Sequence, residues 1–287
     1  MNKLTFGFGK IVKYIFIFFL VLFLVKILAS TYSDTLVIRR DGVVVIELNG
    51  IISESDNIIS IFKKFKDNVK VKGFILRINS PGGVIAPTQE IHRFIGAIEK
   101  PIYASIGTVG ASGGYYVAVA CDEIYALPGS ITGSIGVIAE LSNFKNLLDK
   151  LGVDVYNIKS GKYKDTGSPF RKMDNSEEKL FQEYVNEMYE QFVQDIKGSR
   201  SIDNATLAKY ADGRIFTGNF AKSHGFIDII GSYEDAFNDM KELLGIQELE
   251  MYKYKEKSNI LKDFLVSTRS FATRFLLPDG FYFLLRL

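Results

Sequence analysis

Between Gly73 and Gly83 the chain reads GFILRINSPGG, an apolar run that ends in a proline and two glycines. A short apolar run rich in branched residues is typical of a buried strand, and an Asn-Ser-Pro-Gly-Gly end is typical of a tight turn. Because glycines have no side chain, their backbone N–H groups can approach a ligand closely. The stretch therefore predicts a buried strand followed by a turn that presents backbone donors.

The same alternation continues on both sides of this stretch. VVVIEL at 43–48 and IYASI at 102–106 have the composition of buried strands, while 57–68 and 87–99 have helical spacing. Strands that alternate with helices predict an α/β fold with largely parallel strands. Further strands are predicted at 123–127, 131–138 and 153–158, and further helices from Ser112 through Cys121, at 141–151 and at 176–197, the last beginning with a capping pattern at Ser176.

Composition limits the class of protein. The chain has 287 residues, of which 47% are hydrophobic and 24% charged, as in a globular protein. The net charge of +2 is small and the charged residues are interspersed, so nothing indicates a nucleic-acid surface. The single cysteine, Cys121, cannot form an internal disulfide, and its apolar neighbours predict a buried, unreactive side chain.

An apolar segment near the N-terminus predicts a membrane anchor. YIFIFFLVLFLV at 14–25 extends to a segment at 11–29, and about 20 residues are enough to span a bilayer. Lys3, Lys10 and Lys13 precede it, so the N-terminus is expected in the cytoplasm and the rest of the chain outside. A cleaved signal peptide ending near Ala29 is the alternative.

The predicted organisation has one catalytic-type domain and no internal repeat. It comprises a cytoplasmic N-terminus at 1–10, a transmembrane anchor at 11–29, a linker at 30–42, the domain at 43–245 and a C-terminal tail at 246–287. The tail is apolar but is interrupted by Arg269, Arg274, Pro278 and Asp279, which argue against a second span. We expect an amphipathic surface segment or a contact between subunits there, and a plain core segment or a disordered tail is an equal alternative.

VGASGGYYVA at 109–118 places a serine between a predicted strand and a predicted helix. A turn of this kind can expose the Ser112 hydroxyl at the start of a helix, where unpaired backbone N–H groups favour negative charge. The amide of Gly113 is a candidate oxyanion donor, and the amide of Gly83 in the proline–glycine turn is a candidate second donor. Each pattern alone is also typical of an ordinary turn.

A nucleophilic serine needs a base, and the chain has only two histidines, His92 and His224. No histidine lies between Ser112 and His224, and a structural or solvated role is expected for both histidines. A lysine can replace histidine if burial lowers its pKa, ordinarily near ~10.4, by roughly three units. IKSGKYKDTGSPFR at 158–171 offers Lys159, Lys162 and Lys164, and composition does not choose among them.

Five motifs occur in one order along the chain: NSPGG, ASGGYY, TGSIGV, SGKYKD and GRIFTG followed by AKSHGFID. As an ordered set, from about Val43 to Asp235, they resemble the signal peptide peptidase A family (peptidase family S49) in its short, single-copy form. The resemblance implies a ClpP/crotonase-like fold of stacked strand–strand–helix units, preceded by one N-terminal transmembrane helix.

The resemblance also implies the roles of individual residues. Ser112 occupies the position of the family's nucleophile, and Lys164, in KYKD, that of its general base. Ser134, in GSIGV, matches the serine that orients the lysine, and Gly83 and Gly113 match the oxyanion-hole positions. No cofactor and no metal are implied.

The implied function is a membrane-anchored serine endopeptidase that degrades remnant signal peptides in or beside the membrane through an acyl-enzyme. The implied partners are the lipid bilayer and further copies of the chain, in a homo-oligomer whose adjacent subunits share each active site. The implied location is the bacterial inner (cytoplasmic) membrane, with the catalytic domain on the extracytoplasmic side. Two rivals stay open: a crotonase-like acyl-CoA enzyme, which shares the fold, and a non-catalytic membrane scaffold.

Overall fold

The computed structural model describes residues 36–254 and 280–284, together with residues 13–15, 17, 18 and 21. The chain divides into two compact units, one of residues 1–37 and 255–271 and the other of residues 38–254 and 272–287. In the first unit, residues 13–15, 17, 18 and 21 are helical. The predicted anchor at 11–29 lies mostly outside the described residues, among which no helix is long and apolar enough to cross a bilayer.

The second unit contains the strands and helices that position the site. Its strands are β1 (Gly42–Asn49), β2 (Val71–Ser80), β3 (Gly82–Val84), β4 (Ile102–Ala111), β5 (Glu123–Ala126), β6 (Ile131–Gly133), β7 (Ile138–Glu140), β8 (Ile215–Thr217), β9 (Ile229–Ile230), β10 (Glu250–Lys253) and β11 (Gly280–Leu284). Its helices are α1 (Asp56–Phe65), α2 (Ile85–Gly96), α3 (Gly113–Val119), α4 (Lys145–Leu151), α5 (Asn175–Ser199), α6 (Asn204–Tyr210), α7 (Gly218–Ser223) and α8 (Tyr233–Leu244).

The main sheet is largely parallel. Its central path runs β10–β1–β2–β4–β5–β9, and each neighbouring pair on this path is parallel. β6 extends the sheet beside β4 and pairs antiparallel with β8. Strands in such a sheet are covered on both faces, which is why β1 and β2 read as continuous apolar runs. The predicted α/β fold with largely parallel strands is confirmed.

The core fills the space between this sheet and its helices. The predicted apolar face of α1 is buried, and Phe62 packs edge-on against Phe74 of β2 with ring centroids 5.1 Å apart. On α8, Ala236 and Met240 are fully buried against β1, β2, β4 and β5. The first halves of β2 and β4 are therefore held in this core, through Phe74, Ile75 and Tyr103.

A second, small sheet lies at the edge of the unit. It has the order β3–β11–β7, and both pairings are antiparallel. β11 comes from the C-terminal tail, and its Phe283 stands opposite Gly83 while its Phe281 stands opposite Ala139. A segment near the end of the chain thus forms part of the same unit as the glycine turn.

Two strand predictions fail. The strand predicted at 131–138 is two short strands, β6 and β7, because Ser134 has a positive φ of 52° that breaks the extended backbone. The run at 153–158 forms no strand, and side chains such as Ile158 and Tyr156 are exposed. Its branched residues have the composition of a strand, but composition supplies no neighbouring strand for it to pair with.

Two helix boundaries also differ from prediction. α4 begins at Lys145 rather than 141. α5 is capped by Asp174 rather than Ser176: the Asp174 carboxylate accepts the amides of Ser176 and Glu177, and Glu177 completes a capping box. Aspartate caps as well as serine does, so both residues fit the sequence signal.

Candidate active site

Ser112 lies at the junction between β4 and α3. Its backbone has φ 51° and ψ −117°, a conformation that is rare for a residue with a side chain. Two hydrogen bonds hold it: the Ser112 amide donates to Gly133 O at 2.7 Å, and the Tyr116 amide donates to Ser112 O at 2.8 Å. Strained turns of this kind between a strand and a helix are typical of catalytic nucleophiles.

The Ser112 side chain is buried and unpaired. The residue is 1% exposed, and its Oγ has no hydrogen-bond partner among the described residues. A buried hydroxyl without a partner loses about 1–3 kcal/mol relative to a satisfied one, so its persistence needs a reason. An unpaired hydroxyl at this position is available to a proton acceptor.

The two predicted oxyanion glycines lie side by side, and one of them, Gly113, directly follows Ser112 in the chain. A Cβ placed on Gly113 would lie 3.0 Å from the amide nitrogen of Gly83 and 3.1 Å from Thr88 Oγ1. A Cβ placed on Gly83 would lie 2.0 Å from the carbonyl oxygen of Ile52. Both positions therefore require glycine, because the backbones of β3 and α3 meet with no room for a side chain.

The direction of the Gly83 amide follows from its neighbours. Ile52 N donates to Gly82 O at 2.9 Å, and Val84 N donates to Ile52 O at 2.7 Å. Successive peptide groups in a strand point to opposite sides, so the Gly83 N–H points away from Ile52. On that side β3 pairs with β11, which occupies the edge that an extended peptide would use.

Ser134 stands next to the residue that holds the nucleophile. It is buried, has a φ of 52°, and follows Gly133, whose carbonyl accepts the Ser112 amide. Its own amide donates to Arg214 O at 2.7 Å. The structure thus brings Ser112, Gly113, Gly83 and Ser134 into one region.

The structure leaves Lys164 apart from Ser112 within one chain. Lys164 lies in an exposed turn between α4 and α5, and only its backbone amide is hydrogen-bonded among the described residues, to Gly161 O at 3.2 Å. Of the other two candidate lysines, Lys159 is paired with Asp165 at 2.5 Å, and the Lys162 ammonium lies 4.8 Å from the ring centre of Tyr163. Of the three, Lys164 has the ammonium without a partner in the described chain.

Neither histidine contacts the serine. His92 packs edge-on against Tyr116 with centroids 4.8 Å apart, and burial lowers the pKa of its ring. His224 stacks on Phe220, and its Nδ1 lies 2.9 Å from Phe220 O. Cys121 is buried, and burial raises the pKa of its thiol to about 12, as expected for an unreactive side chain.

Two features of the region have no counterpart in the sequence motifs. One is β11, whose pairing with β3 joins positions about 200 residues apart in the chain. The other is an ion cluster of Lys159, Asp165, Arg171 and Glu177, which lie on both sides of Lys164 in the chain; Asp165 is the one member that belongs to a motif, SGKYKD. A charged residue followed by opposite charges six residues later is a signal, but it is a common one in exposed loops.

A strained, buried serine beside two close-packed glycine amides defines a hydrolase of the serine type. Residues 96–247 match Peptidase family S49. A protein named "Putative signal peptide peptidase SppA", from Enterococcus faecium, is 36% identical over 229 residues, which cover 74% of this chain and 67% of that protein. "Serine protease SPPA, chloroplastic", from Arabidopsis thaliana, is 30% identical over 245 residues, covering 79% of this chain and 36% of that protein.

The chain belongs to peptidase family S49 and is a serine peptidase. The acyl-CoA enzyme is thereby excluded as its main activity. Among solved structures, a ClpP1 N165D mutant from Listeria monocytogenes matches with a TM-score of 0.47 and 16% identity, covering 67% of this chain and 94% of that one. A likeness of this size does not assign the fold family, and the ClpP/crotonase-like assignment stays a prediction.

Proposed function

We propose that the protein is a membrane-anchored endopeptidase that uses a Ser112–Lys164 dyad and completes each site with a second copy of the chain. The observation that supports it most is the pair of unsatisfied partners. The Ser112 hydroxyl is buried without a hydrogen bond, and the Lys164 ammonium is exposed without one, among the described residues. Each of the two groups could serve as the hydrogen-bond partner that the other does not have among the described residues.

The exposed position of Lys164 favours a shared site. A lysine that acts as a base must be neutral near physiological pH, which requires removal from water. The segment around it exposes several large apolar side chains: Leu147 (54%), Leu151 (66%), Tyr156 (84%) and Ile158 (104%). Contiguous exposed apolar side chains are typical of a protein interface. A neighbouring copy that covers this segment would bury both the apolar side chains and the lysine.

The reaction follows from these positions. Lys164 Nζ takes the proton of Ser112 Oγ as the oxygen attacks the peptide carbonyl, and the amide of Gly113 binds the oxyanion. The amide of Gly83 joins it once β11 has left the edge of β3 to which that amide points. Each such donor contributes roughly 3–4 kcal/mol to transition-state stabilisation in other serine proteases. The protonated Lys164 then gives its proton to the leaving amine, and an acyl-enzyme remains. Lys164 next takes a proton from water as the water oxygen attacks the ester, and it returns this proton to Ser112 Oγ when the ester bond breaks, which regenerates the neutral lysine and the free hydroxyl.

Ser134 is proposed to orient the lysine. It is buried beside Gly133, and Gly133 already contacts Ser112, so a hydroxyl at this position can accept or donate near the dyad. A lysine side chain has four rotatable bonds, so an additional hydrogen bond reduces the number of orientations it samples.

The proposed substrates are cleaved signal peptides. The predicted anchor at 11–29 would hold the peptidase unit at the membrane surface, on the extracytoplasmic side of the inner membrane of a bacterium. Apolar peptides left in the bilayer are the substrates available there. The relative from Enterococcus faecium carries the same activity in its name.

A serine-directed probe tests the dyad. In the full chain in detergent, a fluorophosphonate should label Ser112, and Ser112→Ala should abolish both labelling and cleavage of a quenched apolar peptide. Lys164→Ala should reduce both by about 10³-fold or more, as loss of a triad base does. Lys162→Ala is the matched control and should retain activity. An unlabelled wild-type protein would revive the non-catalytic scaffold, and an active Lys164→Ala variant would reopen the choice of base.

Preference for signal peptides needs its own measurement. An apolar peptide of about 20 residues, the length of a membrane-spanning segment, should be cleaved faster than a hydrophilic peptide of equal length. Equal rates on the two peptides would leave the peptidase activity intact and contradict the substrate assignment.

A further inference from the structure

An ion cluster begins at the residue that follows Lys164. The Asp165 carboxylate accepts Arg171 Nε at 2.9 Å, a second Arg171 nitrogen at 3.0 Å and Lys159 Nζ at 2.5 Å. The same guanidinium also donates to the backbone carbonyl of Asp165 at 3.0 Å. Arg171 therefore holds both the side chain and the main chain of the residue bonded to Lys164.

The other side of Arg171 is tied to a long helix. Its two terminal nitrogens donate to the two carboxylate oxygens of Glu177, one of them at 2.7 Å. Glu177 is 1% exposed and lies in the first turn of α5, where it also accepts the Asp174 amide at 3.0 Å. Bidentate pairs of this kind fix geometry as well as contribute energy.

α5 is in turn anchored on the helix that follows the nucleophile. Phe192 of α5 is fully buried and packs on Tyr116 of α3 with ring centroids 4.6 Å apart, and the Tyr116 hydroxyl donates to Asp195. α3 begins at Gly113. The segment of Lys164 is thus linked through Arg171 and Glu177 to the rigid part of the unit, although it has no regular secondary structure of its own.

The cluster keeps its charges over a wide pH range. Arg171 holds the pKa of the Glu177 carboxyl at about 2, and the hydrogen bonds from Arg171 and Lys159 hold the pKa of Asp165 well below its usual range. Glu177 and Asp165 in turn raise the pKa of the Arg171 guanidinium. The ion pairs of Arg171 with Asp165 and Glu177, which form the Arg171 clamp, are therefore kept at neutral pH.

We infer that Asp165, Arg171 and Glu177 are positioning residues that hold the main chain of Lys164 where its ammonium can reach a serine hydroxyl. The inference rests on the proposed role of Lys164 as the base. A misplacement of about 1 Å in a catalytic group costs roughly 10²-fold in rate, and a residue in an exposed turn has little else to hold it. The three residues touch neither substrate nor the reacting atoms and act through Lys164.

A purely structural role for the same residues would be to start α5. That role has a separate determinant in Asp174, whose carboxylate accepts the Ser176 amide at 2.7 Å and the Glu177 amide at 3.0 Å. Asp174→Ala removes the helix cap and leaves the bonds between Arg171 and Asp165 in place. It is therefore the matched control for a variant that opens the clamp.

The test compares two substrates whose leaving groups differ. Departure of a peptide amine needs a proton from Lys164, whereas departure of a nitrophenolate from an activated ester does not. In the full chain, Arg171→Met should lower kcat/KM on the peptide roughly tenfold or more beyond its effect on the ester. Arg171→Lys, which keeps the charge and one donor, should restore part of the wild-type ratio of peptide to ester activity. Asp174→Ala should change both substrates by the same factor.

An Arg171→Met variant with the wild-type ratio of peptide to ester activity would overturn the inference, as would an Asp174→Ala variant with the same altered ratio. Asp165→Asn, which is isosteric, gives the same comparison if Arg171→Met does not fold. Lys164→Ala separates the two proposals: if it is inactive on peptide while Arg171→Met keeps the wild-type ratio, the dyad stands and only the positioning role fails. If Lys164→Ala cleaves peptide normally, the dyad itself is wrong.

Discussion

The α-carbon of Gly113 faces the amide nitrogen of Gly83, and a Cβ on Gly113 would lie 3.0 Å from that nitrogen. The two candidate oxyanion glycines therefore lie against each other although 29 other residues separate them in the chain. The contact depends on the parallel pairing of β2 with β4, because the loops after both strands emerge at the same edge of the sheet.

Gly113→Ala should lower kcat by about 10²-fold, because its methyl group would push the Gly83 amide out of line with the oxyanion. Steady-state kinetics on a quenched peptide measure the effect. Gly96→Ala is the control: Gly96 ends α2, nothing lies within 4 Å of its Cβ position, and alanine should stabilise the helix by roughly 0.5–1 kcal/mol without changing kcat. A Gly113→Ala variant with the wild-type kcat would rule out a tight two-amide site.

The strained backbone of Ser112 predicts an unusual order of stability. A residue with a side chain at φ 51° and ψ −117° stores about 1–3 kcal/mol of strain that glycine does not. The free energy of unfolding of Ser112→Gly should therefore be about 1 kcal/mol higher than that of Ser112→Ala, as measured by denaturant titration, although both variants are inactive. At Ser60, in the middle of α1, the order of the same two substitutions should be reversed. If Ser112→Ala is as stable as Ser112→Gly, or more stable, the backbone at Ser112 is not strained.

The ion cluster predicts how stability depends on pH. The folded-state pKa values of Asp165 and Glu177 are depressed by Arg171, so their contribution is present above the unfolded values near ~3.9 and ~4.3 and is lost as pH falls through the folded values. Denaturation midpoints of the wild type should fall between about pH 5 and pH 2. Arg171→Met should show a smaller fall over that range, and an unchanged slope would mean that the cluster does not persist in solution.

The pairing of β11 with β3 predicts a competition with substrate. An extended peptide that binds along β3 must use the edge that β11 holds, opposite Gly83. Deletion of residues 280–287 should therefore lower KM for extended peptides, while deletion of 285–287, which leaves β11 in place, should not. Equal KM values for the two truncated chains would show that substrate binds elsewhere.

Local chemistry accounts for what the sequence could predict. Ser112 and the two glycines are recognisable because the tight turns at the ends of β2 and β4 require small residues. The alternation of strands and helices predicts the parallel sheet for the same reason: each strand is buried on both faces. These signals lie within about ten residues of the features that they predict.

The remaining features depend on contacts that are distant in the chain. The run at 153–158 has the composition of a strand, and its failure to form one depends on whether another strand lies beside it. The break at Ser134 depends on the carbonyl of Arg214, which accepts the Ser134 amide from a segment 80 residues away. The contact between Arg171 and Glu177 joins a segment without regular secondary structure to the first turn of α5, and local sequence patterns do not show which residues of that segment reach the helix.

The central proposal is that Ser112 of one copy works with Lys164 of another, and complementation tests it most directly. Ser112→Ala and Lys164→Ala chains, each with its own affinity tag, would be co-expressed and purified through both tags, so that every complex contains both variants. Each variant alone should be inactive. In randomly mixed complexes about one site in four should pair an intact serine with an intact lysine, and roughly a quarter of the wild-type activity should return. Doubly purified complexes that remain inactive would contradict a shared site.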